Sequence, residues 1–197
     1  MTIAASLRCA VTLGVVLAIG LPIAEAKPAK KIAATFLGER FPAEVAGFRY
    51  AGVKNYESQQ AGGGYGARYE GPPGTWADVY VYDWARKDIP DHYNEKTSYD
   101  ELALVGQAIN KAVQIGAYRS ATPTGSFAVP ASGIPRLNCD RFLIEPKTGD
   151  ARESIACVTN RNGRFVKIRL DGPKGALDLG KPGSNSINAF LKAWVSP

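Results

Sequence analysis

From Phe48 onward, apolar and polar positions alternate along much of the chain, the two-residue period of strands with one buried face. The pattern predicts strands over residues 48–57, 65–70 and 76–84. They are separated by the glycine-rich stretch 61–64 and by the turn-forming run Gly71-Pro72-Pro73-Gly74-Thr75. Val79, Tyr80, Val81 and Tyr82 are the β-branched and aromatic types that suit a pleated surface. The period then changes. Ser98-Tyr99-Asp100-Glu101 puts a hydroxyl at an N-cap and a carboxylate three residues on, a capping box. Leu102, Val105, Ile109, Ala112 and Val113 recur at helical spacing until Gly116. Alternation returns over 119–129, 137–145, 152–160 and 164–170. In the last of these, Val166, Ile168 and Leu170 share one face and Phe165, Lys167 and Arg169 the other. After a loop rich in Gly, Pro and Lys, Ile187, Phe190, Leu191 and Trp194 form the apolar stripe of a short helix starting near Ser186.

Three strands, a long helix, four strands and a terminal helix, without strand–helix–strand alternation, predict an α+β fold. The expected architecture is a mostly antiparallel sheet with one long middle helix and a short C-terminal helix, a two- or three-layer sandwich forming a single domain over 48–197. Residues 27–47 read as an N-terminal leader. Before them, Arg8, the apolar run 10–24 and Ala24-Glu25-Ala26 have the three-part pattern of a signal peptide cleaved after residue 26. An apolar run of 15 residues falls short of the roughly 20 that cross a bilayer. Cys9 precedes the run, which argues against lipid attachment. The expectation is a periplasmic or secreted protein with no transmembrane segment after cleavage.

Two hairpins carry the specific pairing expectations. Folding about Thr148, within the turn formers 146–150, sets Cys139 opposite Cys157. Once Cys9 leaves with the signal peptide, an even pair in an oxidising compartment predicts a disulfide, and no C-x-x-C motif suggests a redox role. Folding about Pro73 pairs Tyr69 with Ala77, Ala67 with Val79 and Tyr65 with Val81 on one face, which reads as core. The other face pairs Arg68 with Asp78 and Gly66 with Tyr80, and runs on to Tyr82 and Trp84. It is either a stacking surface for a sugar or peptide or an aromatic layer under a helix. A slip of one residue would exchange the two faces.

Composition narrows the chemistry. The 197 residues include 24 Lys plus Arg, 18 Asp plus Glu, one His and three Cys, with 45% hydrophobic and 21% charged residues, the make-up of an ordinary globular protein. So few His and Cys leave too little for a zinc or iron–sulfur centre, and neither metal nor cofactor is expected. Charge is uneven: residues 70–101 hold eight acids against three bases, and 161–197 hold seven bases against two acids. Arg161, Arg164, Lys167 and Arg169 make a candidate anion patch. Export favours an envelope protein or an anionic envelope polymer as partner over nucleic acid. Gly62-Gly63-Gly64-Tyr65-Gly66 lacks a following Gly-Lys-Ser/Thr and leads into a strand, so it reads as a hairpin loop and not a phosphate cradle. His92 has no second His and no nucleophile elbow to complete a triad. Asp88, Asp91 and Glu95 lack calcium-loop spacing. No catalytic residue is assigned.

The early hairpin 65–84, the middle helix after Ser98 and the ending Phe165-Val166-Lys167-Ile168-Arg169-Leu170 before a terminal helix together resemble the α/β sandwich of the extrinsic photosystem II subunit P and its bacterial relatives. The resemblance is one of layout, covers most of the chain after residue 26, and implies a non-catalytic scaffold or assembly protein. The leading expectation is an exported, non-enzymatic binding or assembly module of the cell envelope. The alternatives are a small envelope hydrolase using His92 with Asp88, Asp91 and Glu95, or an inhibitor or immunity-type protein using the polarised surface.

Overall fold

The computed structural model describes residues 31–131, 134–177, 179 and 185–195. The expected signal peptide and the first four residues of the leader lie outside them. Among the described residues, strands β1 (Ile32–Phe36), β2 (Glu39–Pro42), β3 (Glu44–Val45), β4 (Phe48–Asn55), β5 (Tyr65–Glu70) and β6 (Trp76–Tyr82) precede helix α1 (Glu95–Gln114). Strands β7 (Tyr118–Ala131), β8 (Ile134–Pro146), β9 (Arg152–Arg161) and β10 (Arg164–Pro173) and helix α2 (Asn185–Ala193) follow. β1 and β2 pair with each other, and the other eight form one antiparallel sheet in the order β3-β4-β5-β6-β10-β9-β8-β7. This is the expected α+β architecture.

Both hairpin registers are those expected. β5 and β6 align Tyr69 with Ala77, Arg68 with Asp78 and Gly66 with Tyr80. β8 and β9 align Cys139 with Cys157, and the two are joined by a disulfide. The long outer strand β7 carries Pro123, Pro130 and two register shifts beside them, features that block further pairing at an open edge.

The pleat sorts the core into two layers. On one side Tyr69, Val79, Val81, Val166, Ile168, Leu170 and the two cysteines pack with Phe190, Leu191 and Trp194 at α2. On the other, Tyr82, Phe165, Ala156, Val158, Phe142 and Ile144 pack with Leu102 and Ile109 of α1. The result is a three-layer sandwich, each large apolar side chain in it contributing about 1.5–3 kcal/mol on burial. α1 packs mainly over β9, β8 and β7. Through Glu101 and Leu102 it also reaches Tyr82 of β6.

Three expectations need correction. The segment read as a leader forms β1, β2 and β3 from Ile32 on, and its Phe41 and Val45 are buried in the α2-side core. Their apolar side chains pack at the end of the α2 layer, Phe41 against Trp194. α1 starts before Ser98: its N-cap is Asn94, whose side chain accepts from the Thr97 amide at 2.9 Å. Asn caps as well as Ser, and the Ser98 hydroxyl is drawn inward instead, donating to Asn160 Oδ1 at 3.1 Å. Finally, β6 ends at Tyr82, and Trp84 and Ala85 turn the chain with φ of 54° and 58°.

Candidate functional site

The turn after β6 is clasped by the glycine run. The Gly62 carbonyl accepts from the amides of Asp83 at 3.1 Å and Trp84 at 2.8 Å. At Gly62 (φ +74°) a Cβ would lie 1.8 Å from the Ala85 nitrogen, and at Gly64 (φ +66°) 1.9 Å from the Val81 oxygen, so backbone approach and left-handed conformation both demand glycine. Glu57 closes the loop, accepting from the Gly62 and Gly64 amides at 2.9 Å each. Those bonds hold its carboxyl below the usual range. The amides that could have met a phosphate are thus engaged inside the chain.

The clasp sets Trp84 against Tyr82, ring centroids 4.9 Å apart. Glu101 of α1, buried at 3% exposure, meets both. Its Oε1 accepts from the Tyr82 hydroxyl at 2.7 Å and from Trp84 Nε1 at 3.2 Å. Its Oε2 is buried, and no described group donates to it. Burial, then the Glu101 charge and its hydrogen bond, push the Tyr82 hydroxyl well above its ordinary value.

Lys167 faces the same place. It is opposite Tyr80 in the β6–β10 ladder, with Phe165 opposite Tyr82. Its Nζ lies 4.4 Å from the Tyr80 ring centroid and 5.4 Å from that of Tyr82, within cation–π range. Among the described residues its Nζ donates no hydrogen bond and forms no ion pair. Burial pushes its ammonium below the ordinary lysine value, while Glu101 pulls the other way. Arg169, two residues on, is held by Asp171 at 3.1 Å, the Tyr118 hydroxyl at 3.1 Å and Ser154 Oγ at 3.2 Å. With the α1 wall of Leu104, Val105, Ala108 and Ile109, these side chains line a groove of about 280 Å³.

The groove gathers parts of two constellations that the sequence offered separately. Tyr80, Trp84, Lys167 and Arg169 line it, and Tyr82 is buried behind it. Arg68 and Asp78 form an ion pair at 2.6 Å outside it, on the open part of the sheet, with Arg68 also over the Trp76 ring. Burial raises the Asp78 carboxyl despite that pair. The four cations 161–169 do not form one patch. Arg161 is on the α2 side, where Glu39 takes its guanidinium at 2.9 and 2.7 Å and the Trp194 carbonyl at 2.6 Å. Arg164 pairs with Arg161 across β9 and β10, and its Nε is buried without a partner. Strand alternation places Lys167 and Arg169 on the α1 side, so the sheet separates them from Arg161. Glu101 was missed as a site residue because it completes a capping-box pattern. The available signal was its place on the 98, 101, 102, 105, 109 stripe, the buried side of α1.

A larger cleft, about 810 Å³, opens where the β1–β2 turn, the 91–93 loop, the β9–β10 turn and the end of α2 meet. Asn160 organises it, donating to the carbonyls of Pro90 at 3.1 Å and His92 at 2.7 Å and accepting from the Asn94 amide at 2.9 Å. His92 lines this cleft and is exposed. Asp88, grouped with it in the hydrolase alternative, is bound by Arg86 at 2.8 and 2.9 Å instead. Among the described residues no three His, Cys, Asp or Glu side chains gather in a way that could hold a metal ion.

No family model matches the chain, and no curated protein does. Among solved structures, it is similar to the solution structure of cyanobacterial PsbP (CyanoP) from Synechocystis sp. PCC 6803, with a TM-score of 0.44 and 15% sequence identity, covering 68% of this chain and 78% of that one. The chain thus bears a weak resemblance to the PsbP-like sandwich, confined to the fold.

Proposed function

We propose that the chain is an exported, non-enzymatic binding module of the periplasm or cell envelope, and that its α1 groove receives a ligand with an apolar body and an oxygen-bearing, acidic end. The observation that carries this reading is Lys167: its amine is enclosed between two tyrosines with no acceptor among the described residues. An enclosed cation without a partner is costly, and a carboxylate entering the groove would supply the missing acceptor. The apolar α1 wall offers contact for the rest of such a ligand. Export is supported by the pattern of residues 1–26, and the Cys139–Cys157 disulfide accords with an oxidising compartment.

Octanoate is a simple probe of the groove. Calorimetric titration is expected to give saturable one-to-one binding to the wild type, loss of binding in Lys167→Met, and unchanged binding in Arg40→Ala at the larger cleft. Binding that persists in Lys167→Met, or none to the wild type, overturns the groove reading. Cell fractionation with N-terminal sequencing tests export: a periplasmic chain beginning at Lys27 is expected, and an unprocessed cytoplasmic chain refutes it.

A further inference from the structure

We infer that Lys167 is a carbonyl-capturing residue, its ε-amine condensing reversibly with an aldehyde or ketone ligand held in the α1 groove. The inference rests on the groove being the binding site and adds a covalent step to it. Most lysines on a protein surface are solvated or ion-paired. Lys96, for instance, sits 2.6 Å from Asp100 and is 84% exposed. Lys167 instead projects from the central strand β10 beneath α1, with no ion pair to break before its nitrogen can attack.

The groove supplies what the condensation requires. The nitrogen lone pair forms the N–C bond while the carbonyl π pair moves to oxygen, and proton transfer from nitrogen to that oxygen gives a carbinolamine. Departure of the hydroxyl as water, with loss of the second nitrogen proton, leaves C=N. One amine and one carbonyl yield one imine and one water, with no change of oxidation state. Dehydration needs a proton donor and acceptor at hand, and Glu101, whose Oε2 has no donor among the described residues, lines the same groove. The protonated imine is a cation, and the Tyr80 and Tyr82 rings that face the ammonium would face it too. The apolar side chains of Val105 and Ile109 disfavour water beside the ligand and so slow hydrolysis. Burial independently favours the neutral, nucleophilic amine, as in other desolvated lysines.

The test is reductive trapping. The full chain is incubated with limiting octanal and cyanoborohydride, which fixes an imine as a secondary amine, and the labelled lysines are mapped by mass spectrometry. Lys167 is expected to be labelled on the order of ten-fold faster than any other lysine. Glu101→Gln is expected to slow Lys167 labelling by about a hundred-fold, the usual contribution of a positioned proton-transfer group, so that in this variant alone the label passes to the other lysines. Labelling spread over the exposed lysines overturns the inference. If octanoate binding still depends on Lys167 in that case, the binding reading stands without the covalent step. If octanoate also fails to bind, both fall.

Discussion

The Tyr82 hydroxyl on β6 and the Glu101 carboxyl on α1 are 2.7 Å apart, and this bond ties the middle helix to the centre of the sheet. Trp84 adds a second donor to the same oxygen at 3.2 Å. Tyr82→Phe keeps the ring against Phe165 and removes only the hydroxyl, leaving a buried carboxyl short of a donor. The expected cost is about 1–3 kcal/mol, read from urea denaturation. Unchanged stability would show that the bond contributes nothing net.

Alanine should act with opposite signs at a glycine of the clasp and at a glycine of α1. Gly64→Ala places a methyl against the Val81 carbonyl at positive φ and is expected to cost about 2 kcal/mol or more. Gly106→Ala, within α1 and with no atom within 4 Å of the added Cβ, is expected to stabilise by about 0.4–1 kcal/mol. Thermal unfolding of the two variants should shift in opposite directions, and a parallel shift contradicts this account.

Replacing Cys139 and Cys157 together by alanine opens a loop with a sequence separation of 18 residues. The expected loss is about 2–4 kcal/mol, with the β8–β9 ladder retained because the register is also held by Ile155 and Leu137 in the core. The checks are denaturant titration for the loss and amide exchange for the ladder.

The stability of the protein should depend on pH through Lys167. Burial lowers its native value below the usual 10.5. Between that lowered value and 10.5 the unfolded chain holds more protons than the native one, so this residue's contribution to stability rises with pH across that window. Below the window the contribution is constant and unfavourable. Any stability advantage of Lys167→Met measured at neutral pH is therefore expected to shrink as pH approaches 10.5. An unchanging difference between the two proteins contradicts the enclosed amine.

What could be read locally was read correctly because its cause is local. A two-residue period and a short turn determine which residues face each other, and this carried the β5–β6 and β8–β9 registers, the disulfide and the alternation of Val166, Lys167, Ile168 and Arg169. The apolar stripe of α2 was legible for the same reason. The start of α1 was not, because Asn160, 62 residues away in sequence from Ser98, claims the hydroxyl that would otherwise cap the helix.

Spacing over a few residues is enough to specify the two hairpin pairings, the existence of both helices and the kinds of side chain along each strand. The place of β10 between β6 and β9 emerges only on folding. That adjacency set Lys167 over Tyr80 and Tyr82, with α1 bringing Glu101 to the same place. The sheet also separated Arg161 from Lys167, and Phe41 and Val45 joined the core. These outcomes depend on which distant surfaces bury one another, a free-energy comparison over the whole chain that no local period encodes.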